Sequence, residues 1–144
     1  MSVDESSIAG HRVLPHTADV MIEAWGLTRV SCMEEAVRGL VEAFADVSDV
    51  SATEPLPVSI DPGQDDEMFV ALLEEAVYIV DVFGSVPVGV TVEETEMGGL
   101  AGFFDVAPAA RVRVVGAVPK AVSRSGLAVA CDADGWKCRA TIDV

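Results

Sequence analysis

Basic residues are scarce in this 144-residue chain: nine Lys and Arg stand against 24 Asp and Glu, for a formal net charge of −15. A field of that sign repels phosphate backbones and attracts cations and basic partners. Direct, tight binding of naked RNA or DNA is therefore not expected, and a role in nucleic-acid metabolism would run through another protein. Histidine is scarcer still. His11 and His16 both lie near the N-terminus, which leaves little material for a nucleophile beside a histidine held by a third group. A histidine ahead of a strand more simply makes local hydrogen bonds, and no catalytic residue is assigned. The cysteines number three, Cys32, Cys131 and Cys138, and an odd count argues against a disulfide framework. Asp132 to Gly135 reads as a hairpin turn that sets Cys131 opposite Trp136 and leaves Cys138 a diagonal neighbour about 7–8 Å away, beyond disulfide reach. With no CxxC pair and no Cys/His cluster, a zinc site is not expected either.

Long apolar runs are also missing. About half of the residues are hydrophobic, yet no stretch approaches the roughly 20 uncharged residues that cross a bilayer. The first ten residues carry Asp4 and Glu5 where a secretion signal has a basic segment. The expectation is a cytoplasmic protein with no membrane association. The glycines between Gly84 and Gly102 form no phosphate-binding loop of the Walker or dinucleotide type and read as turn residues.

Periodic segments make up most of the rest. Residues 1–11 are expected to be a disordered start, His11 included, and 12–144 one domain. Asp19 to Gly26 reads as a strand. Ser31 stands three residues before Glu34, the spacing of a capping box, so a helix is expected from there to about Asp46, burying Val37, Leu40, Val41 and Phe44. Pro55 to Asp61 alternates as a short strand. Asp65 and Asp66 then suit the positive end of a second helix, which runs to about Phe83 and buries Phe69, Leu72, Leu73, Ala76 and Val80. Strands are expected at 86–93, 100–106, 111–115, 121–130 and 136–144. The class is α+β: two amphipathic helices packed on a curved or layered antiparallel sheet.

Asp19 and Asp143 are the carboxylates with most chemical promise. Alternation along the last strand puts Lys137, Arg139, Thr141 and Asp143 on the polar face, with Val144 immediately after. Should Asp19 sit beside them, the clustered oxygens would repel one another unless a hard divalent cation joined them. Spacing alone does not establish that proximity, because aspartates at strand ends commonly cap turns.

The same residues carry a family resemblance. His16-Thr17-Ala18-Asp19-Val20 followed by Glu23-Ala24-Trp25-Gly26 resembles the opening signature of the archease family. Glu34-Glu35-Ala36 through Leu40 to Phe44 resembles that family's first helix, and Leu72 to Asp81 its second. Ile142-Asp143-Val144 matches its closing pattern. The agreement runs in order from about residue 13 to 144. It implies a fold of sheet and two helices related in shape to a redox-chaperone domain. It also implies a metal ion held by Asp19 and Asp143 with Val144 as a further oxygen donor, calcium in the first place, with magnesium or manganese as alternatives. The implied partner is an RtcB-type RNA ligase, whose guanylylation and multiple turnover the protein would promote in tRNA splicing or RNA repair, with His16 and Lys120 as partner contacts. The competing expectation is an acidic chaperone-like module for an RNA-modifying enzyme such as a tRNA methyltransferase. In one segment the chain departs from the family: Arg124 and Ser125 stand where many members have an aromatic residue and a histidine after the Lys-Ala stretch.

Overall fold

The computed structural model describes residues 8–15 and 19–144. Alternating small and apolar residues make β2 (Asp19–Gly26) a strand that buries Ile22 and Ala24 and turns Glu23 and Trp25 the other way. β1 (Gly10–Pro15) pairs antiparallel with it, Gly10 opposite Trp25 and His11 opposite Ala24. Gly10 and His11, expected in the disordered start, are therefore strand residues. The physical reason is that β2 offers β1 a ladder, and His11 finds two glutamates on the adjoining helix to satisfy its ring. Glycine is required at position 10, because an added Cβ would lie 2.5 Å from the Trp25 ring.

α1 (Arg29–Glu42) is capped three residues before the expected cap. Thr28, not Ser31, is the N-cap: its hydroxyl accepts from the Ser31 N–H, and the Ser31 side chain closes the box by accepting from the Thr28 N–H. Glu34 is thereby released from capping, and its carboxylate accepts the N–H of Val92 instead. The helix also ends before the expected Asp46, since Ala45–Asp46 forms the short strand β3. Val37, Leu40, Val41 and Phe44 are buried as their spacing predicts.

β4 (Glu54–Ile60) carries Pro55 and Pro57, which remove ladder donors, and it lies accordingly at a sheet edge. α2 (Asp65–Phe83) has Asp65, Asp66 and Glu67 in its first turn and ends on Gly84 at φ +60, the left-handed conformation that suits glycine. Phe69, Leu72, Leu73 and Ala76 are fully buried, with Val80 packed at the margin. The strands β5 (Ser85–Glu94), β6 (Leu100–Pro108), β8 (Ala121–Asp132) and β9 (Gly135–Asp143) follow the expected hairpin series. The expected strand at 111–115 is reduced to β7 (Arg113–Val114), which pairs only with β3, after a 3-10 turn at Ala109–Arg111.

Among the described residues three antiparallel sheets result, ordered β1-β2-β9-β8, β4-β6-β5 and β3-β7. α1 packs between the inner strands of the first sheet and β5, and α2 packs against β8 and β5. Both helices thus lie between sheets, and the apolar faces of all these elements merge into one core. The expected α+β architecture is the observed one. No helix among the described residues is long and apolar enough to cross a membrane.

Candidate functional site

The two aspartates singled out from opposite ends of the chain are cross-strand partners. Asp19 opens β2, Asp143 closes β9, and the antiparallel register pairs them directly. Residues so placed have Cβ atoms about 4.5–5.5 Å apart. Both belong to the alternate set that turns away from the helices, since Ile22, Ala24, Ala140 and Ile142 occupy the buried set. Two carboxylates facing one another across a ladder repel, and a divalent cation with oxygen preference is the group that relieves such a pair.

β8 closes the other side of Asp143. Ala121 is its partner there, and the Lys120 N–H donates to the Asp143 carbonyl over 2.8 Å. The Lys120 side chain lines a groove of about 270 Å³ with Glu74, Tyr78, Asp81 and Val122, between α2 and β8. Lys120 is therefore joined to the acidic pair by the backbone and also borders the groove beside α2. His16 lies outside the described residues. Among the described residues no three or more His, Cys, Asp and Glu side chains converge as a metal site. An ion at the pair would have to complete its shell with other oxygens, and Val144 follows Asp143 directly.

Arg124 and Ser125 fall where β8 loses register. Ser123 is opposite Thr141, but the next paired residue is Ala128, opposite Arg139. The intervening residues bow out, with Gly126 at φ +73, the Ser125 N–H donating to Ser123 Oγ, and Arg124 3.7 Å from Glu74. The residues that depart from the family's pattern thus sit in a bulge that begins just past the Ser123–Thr141 pair, which is itself two positions along the ladder from Asp143.

The opposite end of the same sheet face is cationic. Arg12, Lys137 and Arg139 surround Trp25 over a shallow groove of about 410 Å³, floored by Ala128 and Ala130. The Arg12 guanidinium lies 4.9 Å from the Trp25 ring centroid and 3.4 Å from Glu23, and Lys137 lies 3.4 Å from Asp132. Arg139 is directly opposite Glu23. These are cross-strand charge pairs on a solvated face, and the groove is distinct from the acidic pair.

Two further clusters escape sequence reasoning. His11 Nδ1 donates to Glu35 over 2.9 Å and Nε2 to Glu42, while Arg38 holds the other oxygen of Glu35 at 2.7 Å. Burial pulls the His11 ring toward neutrality, but the two carboxylates outweigh it and hold its pKa above the usual value. The second cluster is sulfur. Cys32 and Cys138, both buried, have their Sγ atoms 3.0 Å apart. Consideration of Cys131 and Cys138 alone missed this. Cys131 does stand opposite Trp136 as expected, and is exposed and free.

Residues 11–144 match the archease protein family (MTH1598/TM1083). The chain is 40% identical over 136 residues to a "Probable protein archease" in two strains of Mycobacterium tuberculosis, a match that covers 94% of this chain and 75% of each relative. Among solved structures it is similar to protein 1598 of Methanobacterium thermoautotrophicum, at a TM-score of 0.76 and 24% identity, with 94% of this chain and 99% of that one covered. It is also similar to a Thermotoga maritima protein described as an archease and possible chaperone, at a TM-score of 0.66 and 19% identity, covering 92% of this chain and 96% of that one. At such identities the structural likeness establishes the fold.

Proposed function

Since the chain belongs to the archease family, we propose that it is an accessory protein that holds a divalent cation at Asp19 and Asp143 and promotes guanylylation and repeated turnover of an RtcB-type RNA ligase. The reading rests above all on the register that pairs these two aspartates. In this reading their carboxylates and an oxygen of Val144 hold the ion, calcium in the first place, with magnesium or manganese as alternatives. Bound there, the ion supplies positive charge and coordination positions open to phosphate oxygens. The protein's own residues do the rest: the acidic end of the sheet is drawn to a basic cleft, and Lys120 contacts the partner beside it. A net charge of −15 supports docking on a basic protein surface over direct RNA binding.

The test is a ligation assay with limiting cognate ligase and excess RNA ends carrying a 2′,3′-cyclic phosphate and a 5′-hydroxyl. Wild type should raise the number of turnovers per ligase, whereas Asp19→Ala and Asp143→Ala proteins should give little or none of that gain. Equal stimulation by all three would refute the metal-centred mechanism.

A second reading is a chaperone-like module that binds a protein such as an RNA-modifying enzyme. It is favoured by Tyr78, Val82 and Phe83, which are exposed at the end of α2, and by the description of the Thermotoga relative as a possible chaperone. It needs no ion. The aspartate variants would then keep full activity in preventing client aggregation, while Tyr78→Ser and Phe83→Ser proteins would lose it.

A further inference from the structure

Nothing in the ligase-accessory reading uses the cysteines, yet two of them meet in the core. Cys32 lies in the first turn of α1 and Cys138 in the middle of β9, 106 positions apart, with relative exposures of 1% and 3%. Their Sγ atoms are 3.0 Å apart, the Cys32 thiol also points to the Ala24 carbonyl, and the Cys138 thiol to the Cys32 carbonyl, each at 3.5 Å. A disulfide bond is about 2.05 Å long, so about 1 Å of approach separates the thiol pair from a covalent link. Isolated buried cysteines serve as small apolar side chains. Here no atom intervenes between the sulfurs.

We propose that Cys32 and Cys138 are a modification site: they form a reversible disulfide that staples the first turn of α1 to β9, the strand that ends in Asp143. The oxidant is a low-molecular-weight disulfide, R–S–S–R. One protein thiol gives up its proton, attacks one sulfur of the reagent and forms a mixed disulfide, releasing the first R–SH. The second protein thiol gives up its proton, attacks the protein sulfur of that mixed disulfide and releases the second R–SH. Two protein S–H bonds and one reagent S–S bond are broken, and one protein S–S bond and two reagent S–H bonds are formed. The protein loses two electrons to the reagent. An excess of reducing thiol reverses every step.

Access sets the rate. The hydrogen bond to Cys32 and burial both push the Cys138 thiol far up, so the closed core presents no reactive thiolate there. Exchange therefore runs through local opening of the contact between α1 and β9. Cys131, exposed on the hairpin, meets the reagent without any such opening.

The experiment uses the full chain carrying Cys131→Ser, incubated with oxidised glutathione in native buffer and in a sub-denaturing concentration of urea, then denatured, alkylated and weighed. The expected product has lost two hydrogens, has no alkylatable thiol, and yields a Cys32–Cys138 linked peptide on digestion. Urea should accelerate its formation, and excess reductant should return both thiols. Closing so long a loop should also raise the thermal midpoint by roughly 10 °C. Stable glutathione adducts on either core cysteine, or two free thiols after prolonged incubation in urea, would overturn the proposal. The same digest on wild type, which carries no substitution, keeps the test independent of how any variant folds. There the expected outcome is the same linked peptide with Cys131 carrying a single glutathione, and a Cys131-containing crosslink in place of the Cys32–Cys138 one would count against it.

Discussion

At His11 a side chain with neutral-range chemistry has been placed between two acids. Its folded pKa is raised by Glu35 and Glu42, so the contact stabilises the fold fully below the ordinary histidine value near 6.5 and loses that contribution as pH rises through the folded value. Comparing urea midpoints of wild type and His11→Gln between pH 5.5 and 9 should show a gap of about 1 kcal/mol at the acid end, after allowance for solvent screening, that closes toward the alkaline end. A gap independent of pH would mean that His11 contributes packing alone. The residue was not legible as a partner in the sequence, because its glutamates lie on α1, 24 and 31 positions away. Local pattern registers neighbours in the chain and is blind to such contacts. The cysteine pair escaped for the same reason.

Among the elements, periodicity identified both helices and most strands, and the errors have local causes. The expected box of Ser31 with Glu34 gives way to one of Thr28 with Ser31, and Glu34 accepts from Val92 on β5 instead. Replacing Thr28 with Ala should therefore cost about 1 kcal/mol in urea unfolding. Glu34→Gln, which keeps an acceptor for Val92, should cost less than that, whereas an N-cap role for Ser31 would make Glu34 the costlier change. β1 was missed because Gly-His-Arg-Val-Leu-Pro lacks clean alternation and its stability comes from β2. Deeper in the core, Phe69→Ala should cost about 3–5 kcal/mol by the same measurement, as Phe69 is fully buried in α2 between the sheets.

On the scale of the whole molecule, the candidate site was visible in the sequence as residue types and only the register could join them. That makes its energetics testable without any partner. In chelator, Asp143→Asn relieves a like-charge pair and should leave stability unchanged or raise it by a few tenths of a kcal/mol. In calcium at about a hundred times the dissociation constant, wild type should gain about 2.7 kcal/mol and the variant almost none, so the two stability curves cross. Parallel responses to calcium in calorimetry would rule out ion binding at this pair.

The sheet order β1-β2-β9-β8 carries one more consequence. β9 holds the middle of the sheet between β2 and β8, although it is translated after both. A chain emerging from the ribosome can close the β4-β6-β5 sheet early, but β2 and β8 must wait with open edges until β9 arrives to zip them together. The pairing of Asp19 with Asp143 is among the last contacts such a chain makes. Cation affinity at the proposed site would then report that β9 has been made and the sheet has closed, and nascent chains stalled before Gly135 should show none.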